Sequence, residues 1–357
     1  MNESMPGWRP EPRVVGSASA EKKKELQEDV LLKFSENHLS QFSDKQLEAL
    51  EGGEREKTAA EKEAIVLANE ITNQIREKFE LPPFQIPEQN IHIVSDEAYR
   101  IFSPERGFAG STDLAITAYE KQGIFLSEKL REEEHPERIL SAILHEVIHL
   151  KGVLSFELGE DGSKRILRAG MDVMATGRKA REKGGAIHFR GLHEGIVSEL
   201  QAIYFREFLE ANKEIRGIFD MAFSESAAAE RSRVAKRLGA EPRDLPWAYG
   251  DHYESIPYIP QRVVLRYLVR TLTEAGAFSS EEESMDAFLD AHFSGRLLSI
   301  GRAVTKTFGR DAFRVLGMMG VDQDNNSVRQ IIDYLTKQRR IVMGRTKNPH
   351  GQEGEVG

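Results

Sequence analysis

The chain has 357 residues, 39% hydrophobic and 30% charged, which fits a soluble globular protein long enough for two packed subdomains. Its 58 acidic and 49 basic residues leave a formal charge of −9, so no basic field points to nucleic acid or an anionic membrane surface as a partner. The absence of cysteine excludes a disulfide framework and thiolate metal ligands, and no run approaches the roughly 20 apolar residues of a membrane span.

The opening MNESMPGWRPEPRVV lacks the apolar core of a secretion signal, so a cytoplasmic protein is expected, with signal-less export left open. Residues 1–20, rich in Pro, Gly, Ser and charge, read as a disordered tail. From residue 21 the pattern turns helical, with Leu26, Val30, Leu31 and Phe34 at helical spacing. A short helix over 43–50, capped by Ser43, completes an N-terminal helical segment, 21–56. A long helix is expected over 57–79, stopping before Pro82 and Pro83.

Strands follow at 90–95, 114–118 and 123–126, the last two joined by the turn YEKQG into a hairpin. His92 in the first of these reads as a packing residue. The next helix, 139–152, is entered through HPER. Pro136 suits its first turn, and the acidic run 132–134 suits its positive end. Beyond it, SKRILRAGMDVMA and GGAIHFRGL read as two strands around the charged turn GRKAREKGG, with a mobile tip. A strong helix covers 191–212. The remainder is read as helices near 224–238, 257–274, 280–293, 295–308, 310–318 and 325–337, punctuated by glycines, with a frayed tail at 344–357.

The helix ILSAILHEVIHLKG carries the chemistry. Ile139, Leu140, Ile143, Leu144, Val147, Ile148 and Leu150 make it apolar on more than one side, as a buried helix is. Into that surface are set His145, Glu146 and His149. Histidines four residues apart share a face and can converge on one Zn²⁺, while Glu146, about 100° around the axis, reaches a metal-activated water instead. This is the H-E-x-x-H arrangement. Imidazoles and a carboxylate within an aliphatic helix cost several kcal/mol unless partnered or metallated.

Two histidines leave a catalytic zinc site one protein ligand short. A histidine six positions after His149 would complete it, but Ser155 stands there. Glu157, expected in the loop past the helix, is one alternative; Glu194 or Glu199 on the 191–212 helix is another.

HEVIH followed by Gly191-Leu192-His193-Glu194-Gly195-Ile196-Val197-Ser198-Glu199 resembles the gluzincin class of zinc metallopeptidases. In that class a second helix, often opening on Asn-Glu-Gly, supplies the third ligand. The aminopeptidase N branch carries this signature, and the resemblance extends to a broad set of bacterial zincin-like proteins. It covers roughly residues 85–210. It implies one zinc ion held by His145, His149 and Glu194, with Glu146 as general base. His193 replaces the asparagine of the signature and so remains a rival ligand beside Glu199, and Glu199 could instead orient a metal-bound histidine. The interval between the motifs is longer than in the aminopeptidases. GFAGS at 107–111 is not the exopeptidase motif, so an aminopeptidase reading is unsupported.

The expected fold is α+β: a zincin-like catalytic subdomain, 57–212, with a small mostly antiparallel sheet over the active-site helix, then a helical C-terminal subdomain, 213–343. The expected function is zinc-dependent hydrolysis of peptide bonds, with a peptide or protein as substrate and neither nucleic acid nor membrane as partner. The alternatives are a non-proteolytic zinc hydrolase or effector, or a silent zincin-like binding protein. Among Tyr249, His252, Tyr253, Tyr258 and Arg262, Tyr253 and Tyr258 are the candidates for an oxyanion donor. The 114–118 strand is the candidate docking edge for substrate backbone.

Overall fold

In a computed structural model the described residues are 12–34, 38–102, 114–131, 137–175, 187–211, 225–238, 242, 247–249, 252–254, 257–321 and 325–347. Expectations for Pro136, the acidic run 132–134, the GFAGS segment, the GRKAREKGG turn and most of the two tails lie outside them. The chain divides into two compact units, Met1–Gly170 with Val197–Pro257 and Met171–Ile196 with Tyr258–Gly357. The division falls within 57–212 instead of at its end.

In the first unit, β1 (Arg13–Val15) lies inside the segment read as a disordered tail. Its two valines supply the reason, since Val14 packs against a cluster that includes Leu26, Val30, Leu154 and Phe156. Helix α1 (Ala20–Leu32) begins at Ser19, whose hydroxyl accepts from Lys22 N at 3.3 Å. Helix α2 (Asp44–Gly53) starts where Ser43 N donates to Gln46 Oε1, 3.2 Å. Helix α3 (Ala59–Lys78) opens on a reciprocal capping box, Thr58 N to Glu61 Oε2 at 2.8 Å and Glu61 N to Thr58 Oγ1 at 3.3 Å.

Strand β2 (Ile91–Val94) is followed by a short helix the sequence reading did not include, α4 (Asp96–Phe102). Strands β3 (Ala115–Ala118) and β4 (Gly123–Ser127) form the expected hairpin, and β2 joins β4 in parallel, giving the order β2-β4-β3. Antiparallel pairing is therefore not uniform; the sheet is mixed. Against it packs α5 (Glu137–Leu150), with all seven aliphatic residues named above buried. Each such burial stabilises by roughly 1.5–3 kcal/mol.

The end of α5 is tied to α3 by two cations. The fully buried Lys151 donates from Nζ to Asn69 O at 3.0 Å and Asn73 Oδ1 at 2.8 Å. Arg76 Nη1 donates to Lys151 O at 2.8 Å. Burial holds the Lys151 ammonium well below the ordinary lysine value and lowers Arg76 to about 10.

Strands β5 (Leu154–Leu158) and β6 (Lys164–Ala169) pair antiparallel, and β1 adds to β5 in parallel. Strand β5 was not expected. In the second unit, β7 (Asp172–Met174) pairs antiparallel with β8 (Ile187–His188). SKRILRAGMDVMA is thus two strands instead of one, parted at Gly170, whose φ of 55° is a turn conformation suited to glycine.

Helix α6 (Arg190–Ala211) follows. Gly191 N donates to Met319 O at 2.9 Å, and a Cβ there would come within 2.5 Å of Gly320 O. Helix α7 (Glu225–Leu238) and a hairpin of β9 (Trp247–Tyr249) and β10 (His252–Glu254), read from sequence as a loop, belong to the first unit. Helices α8 (Ile259–Glu274), α9 (Glu281–Ser294), α10 (Leu297–Phe308), α11 (Arg310–Gly317) and α12 (Asn325–Lys347) complete the second around Leu265, Leu268, Phe288, Phe308 and Leu335. The last runs ten residues past its expected end. Among the described residues, no helix is long and apolar enough to cross a membrane.

Candidate metal centre

His145 and His149 are one turn apart on α5, and their Nε2 atoms lie 3.1 Å apart. Two nitrogens bonded tetrahedrally to one zinc at 2.0–2.1 Å are about 3.3 Å from each other, so the pair already stands at coordination spacing. Glu194, in the second turn of α6, completes the group: the ligand atoms of His145, His149 and Glu194 all lie within 4.8 Å of one another, and all three residues are buried. This group can hold a metal ion. The donor set suits one, since imidazole nitrogens and a carboxylate oxygen are ordinary ligands of a divalent ion such as zinc.

Each histidine is held from its other nitrogen. His145 Nδ1 is 3.0 Å from Gln201 Oε1. His149 Nδ1 is 3.3 Å from the Tyr119 hydroxyl, just beyond β3. Glu146 stands outside the ligand group. Thr117 Oγ1 donates to its Oε2 at 2.7 Å and lies 3.2 Å from its carbonyl oxygen. Thr117 and Tyr119 are two apart in sequence, so β3 and its extension address both the carboxylate and the second histidine.

The rival ligands are placed elsewhere. His193 Nδ1 is 3.1 Å from Asp172 Oδ1, and its ring centroid is 5.0 Å from that of His292. Glu199 is buried but is not part of the group; it lies five residues and about 140° around the helix from Glu194. Glu157 lies on β5, not in a loop, and pairs with Arg165. Tyr258 occupies the N-cap of α8 with a left-handed φ of 59°, and Arg262 is fully buried in the first turns of that helix. The side chains of Tyr249, His252 and Tyr253 lie outside the described set, so no oxyanion donor is assigned among these residues.

Sequence reasoning missed Thr117, Tyr119, Ser141 and Gln201. For Gln201 a signal was present: it lies seven residues after Glu194, two turns on along the same face. Compared with protein-family models, curated proteins and solved structures, the chain matches none.

Proposed function

We propose that the protein is a zinc-dependent metallopeptidase of gluzincin type, in a zincin-like fold, with Glu146 as general base. The observation that carries this reading is the buried group of His145, His149 and Glu194, with a further carboxylate beside it on α5 and bonded outside the ligand set. A zinc ion held there supplies Lewis acidity, polarising a scissile carbonyl and acidifying a water. Glu146 takes the proton of the attacking water and returns it to the leaving amine. Thr117 engages Oε2 and so leaves Oε1 to carry that proton. Strand β3 is an edge of its sheet, and an extended substrate backbone adding to it would lie beside the residues that hold Glu146 and His149.

Protein purified without chelators should hold one zinc per chain by elemental mass spectrometry. Glu194→Ala should lose most of it, and Glu199→Gln and His193→Gln should keep it. Glu146→Gln should keep zinc while turnover on a complex peptide mixture falls at least about 100-fold. A zinc-free wild type, or a Glu146→Gln variant as active as wild type, overturns the reading.

A further inference from the structure

The amide of Gln201 has one orientation that satisfies its neighbours. Its nitrogen lies 3.0 Å from Ser141 O and 2.6 Å from Ser141 Oγ, and its oxygen 3.0 Å from His145 Nδ1. Turning the amide over would set its oxygen against the Ser141 carbonyl, a buried acceptor facing an acceptor. A backbone carbonyl cannot donate, so the Ser141 carbonyl decides the orientation. Nδ1 of His145 then faces an acceptor and carries the ring proton, and Nε2 of the neutral ring is left as the lone pair.

The spacing repeats the logic of the metal ligands. Ser141 precedes His145 by four residues on α5, and Gln201 follows Glu194 by seven on α6, so both partners sit on the faces that present the ligands. Gln201 is 1% exposed, so water cannot substitute for it.

Building on the metallopeptidase reading, we infer that Gln201 is a positioning residue that holds His145 as its Nδ1–H tautomer before any ion arrives. The Nε2 lone pair is thereby aimed at the point where His149 and Glu194 converge. Ser141 orients Gln201 through its carbonyl and hydroxyl. Metal-binding histidines commonly donate their second N–H to a carboxylate, which also raises ligand basicity. Here a neutral amide does the orienting, and it adds no further negative charge beside the buried Glu146 and Glu194.

The test is nitrogen NMR of the His145 ring in metal-free protein, alongside Zn²⁺ affinity by competition with a chromogenic chelator. Wild type should show the Nδ1–H tautomer. Gln201→Met, which keeps the volume and removes the acceptor, should shift the ring toward a mixture and weaken Zn²⁺ binding about 10- to 100-fold. Gln201→Glu, whose carboxyl must carry a proton to face the Ser141 carbonyl and then presents its other oxygen to Nδ1 of His145, should restore the Nδ1–H tautomer, which a purely packing role would not produce. An Nε2–H tautomer in wild type, or a tautomer and affinity unchanged in Gln201→Met, overturns the inference. A Gln201-dependent Nδ1–H tautomer in a protein that hydrolyses no peptide would leave the lock standing and remove the peptidase reading alone.

Discussion

A second pair of imidazoles lies in the first unit, on residues unrelated to the metal group. His38 Nε2 and His92 Nε2 are 3.0 Å apart, the rings are within 15° of parallel, and the centroids are 5.2 Å apart. That separation is what an in-plane, head-on N–H···N bond requires. His92 Nδ1 lies 2.9 Å from Glu54 Oε1. His38 Nδ1 has the Lys33 carbonyl at 3.0 Å and the amide nitrogens of Asn90 and Gln41 at 3.1 Å, so either tautomer finds a partner. Burial, and then His92, depress the pKa of His38 from 6.5 to about 4, with Lys121 acting the same way and the Lys33 carbonyl and Glu54 opposing. The folded state therefore refuses a proton that the unfolded chain accepts between those values. Stability that is full above pH 6.5 should be lost as pH falls toward 4, by about 3 kcal/mol from this ring alone. Urea denaturation between pH 4 and 7 measures it. His38→Gln should flatten the slope over that interval, and parallel slopes for variant and wild type would refute the assignment.

At the scale of elements, what the sequence made legible was whatever repeats. Helices α3, α5 and α6 carry several turns of apolar spacing and start or stop at recognisable residues, and their expected bounds fell within a few residues of those observed. Strands β1 and β5, helix α4 and the β9–β10 hairpin are three to seven residues long, too short for a period to emerge, and β1 is stabilised by a partner distant in sequence. His145, His149 and Glu194, the group that could hold a metal ion, were legible because each sits in a motif. Thr117 was not, since its role exists only once the β3–β4 hairpin packs on α5. Helix α6 depends on Gly191 in a way that substitution can expose. A Cβ at Gly191 meets two backbone carbonyls, at 2.5 and 2.8 Å, and neither can yield cheaply. Gly191→Ala should destabilise by roughly 1–3 kcal/mol. Gly301→Ala, whose Cβ would meet only the Phe313 ring at 3.4 Å or beyond, should be neutral or stabilising. Thermal unfolding of the two variants side by side checks this, and equal midpoints would refute it.

For the whole molecule, a metal that binds only the folded chain must appear in its stability. The three residues of the candidate group come from helices about 45 residues apart in sequence, so the unfolded chain holds no comparable site. At a free zinc concentration a hundred times Kd, the ion should add about 2.7 kcal/mol to the free energy of unfolding. Calorimetry with and without a chelator reads this directly. An unfolding midpoint indifferent to chelator would mean that the group holds no ion in solution.

The sheet beside α5 has two unlike margins. Along β2, Glu54 forms a bridge with Val94, Arg55 N donates to Ile93 O at 2.7 Å and Ser95 N to Gly53 O at 2.8 Å, so that margin is already satisfied. Beyond β3, no strand or bridge adds to the sheet among the described residues. An unsatisfied margin is also where sheets of separate molecules join, and proteins ordinarily blunt it with proline, lysine or a bulge. None of these occurs in Ala115–Ala118. If that strand receives a peptide backbone, the protection that would keep copies of the chain apart is the same change that would close the docking edge, and solubility at high concentration has to be secured elsewhere, through the net charge of −9.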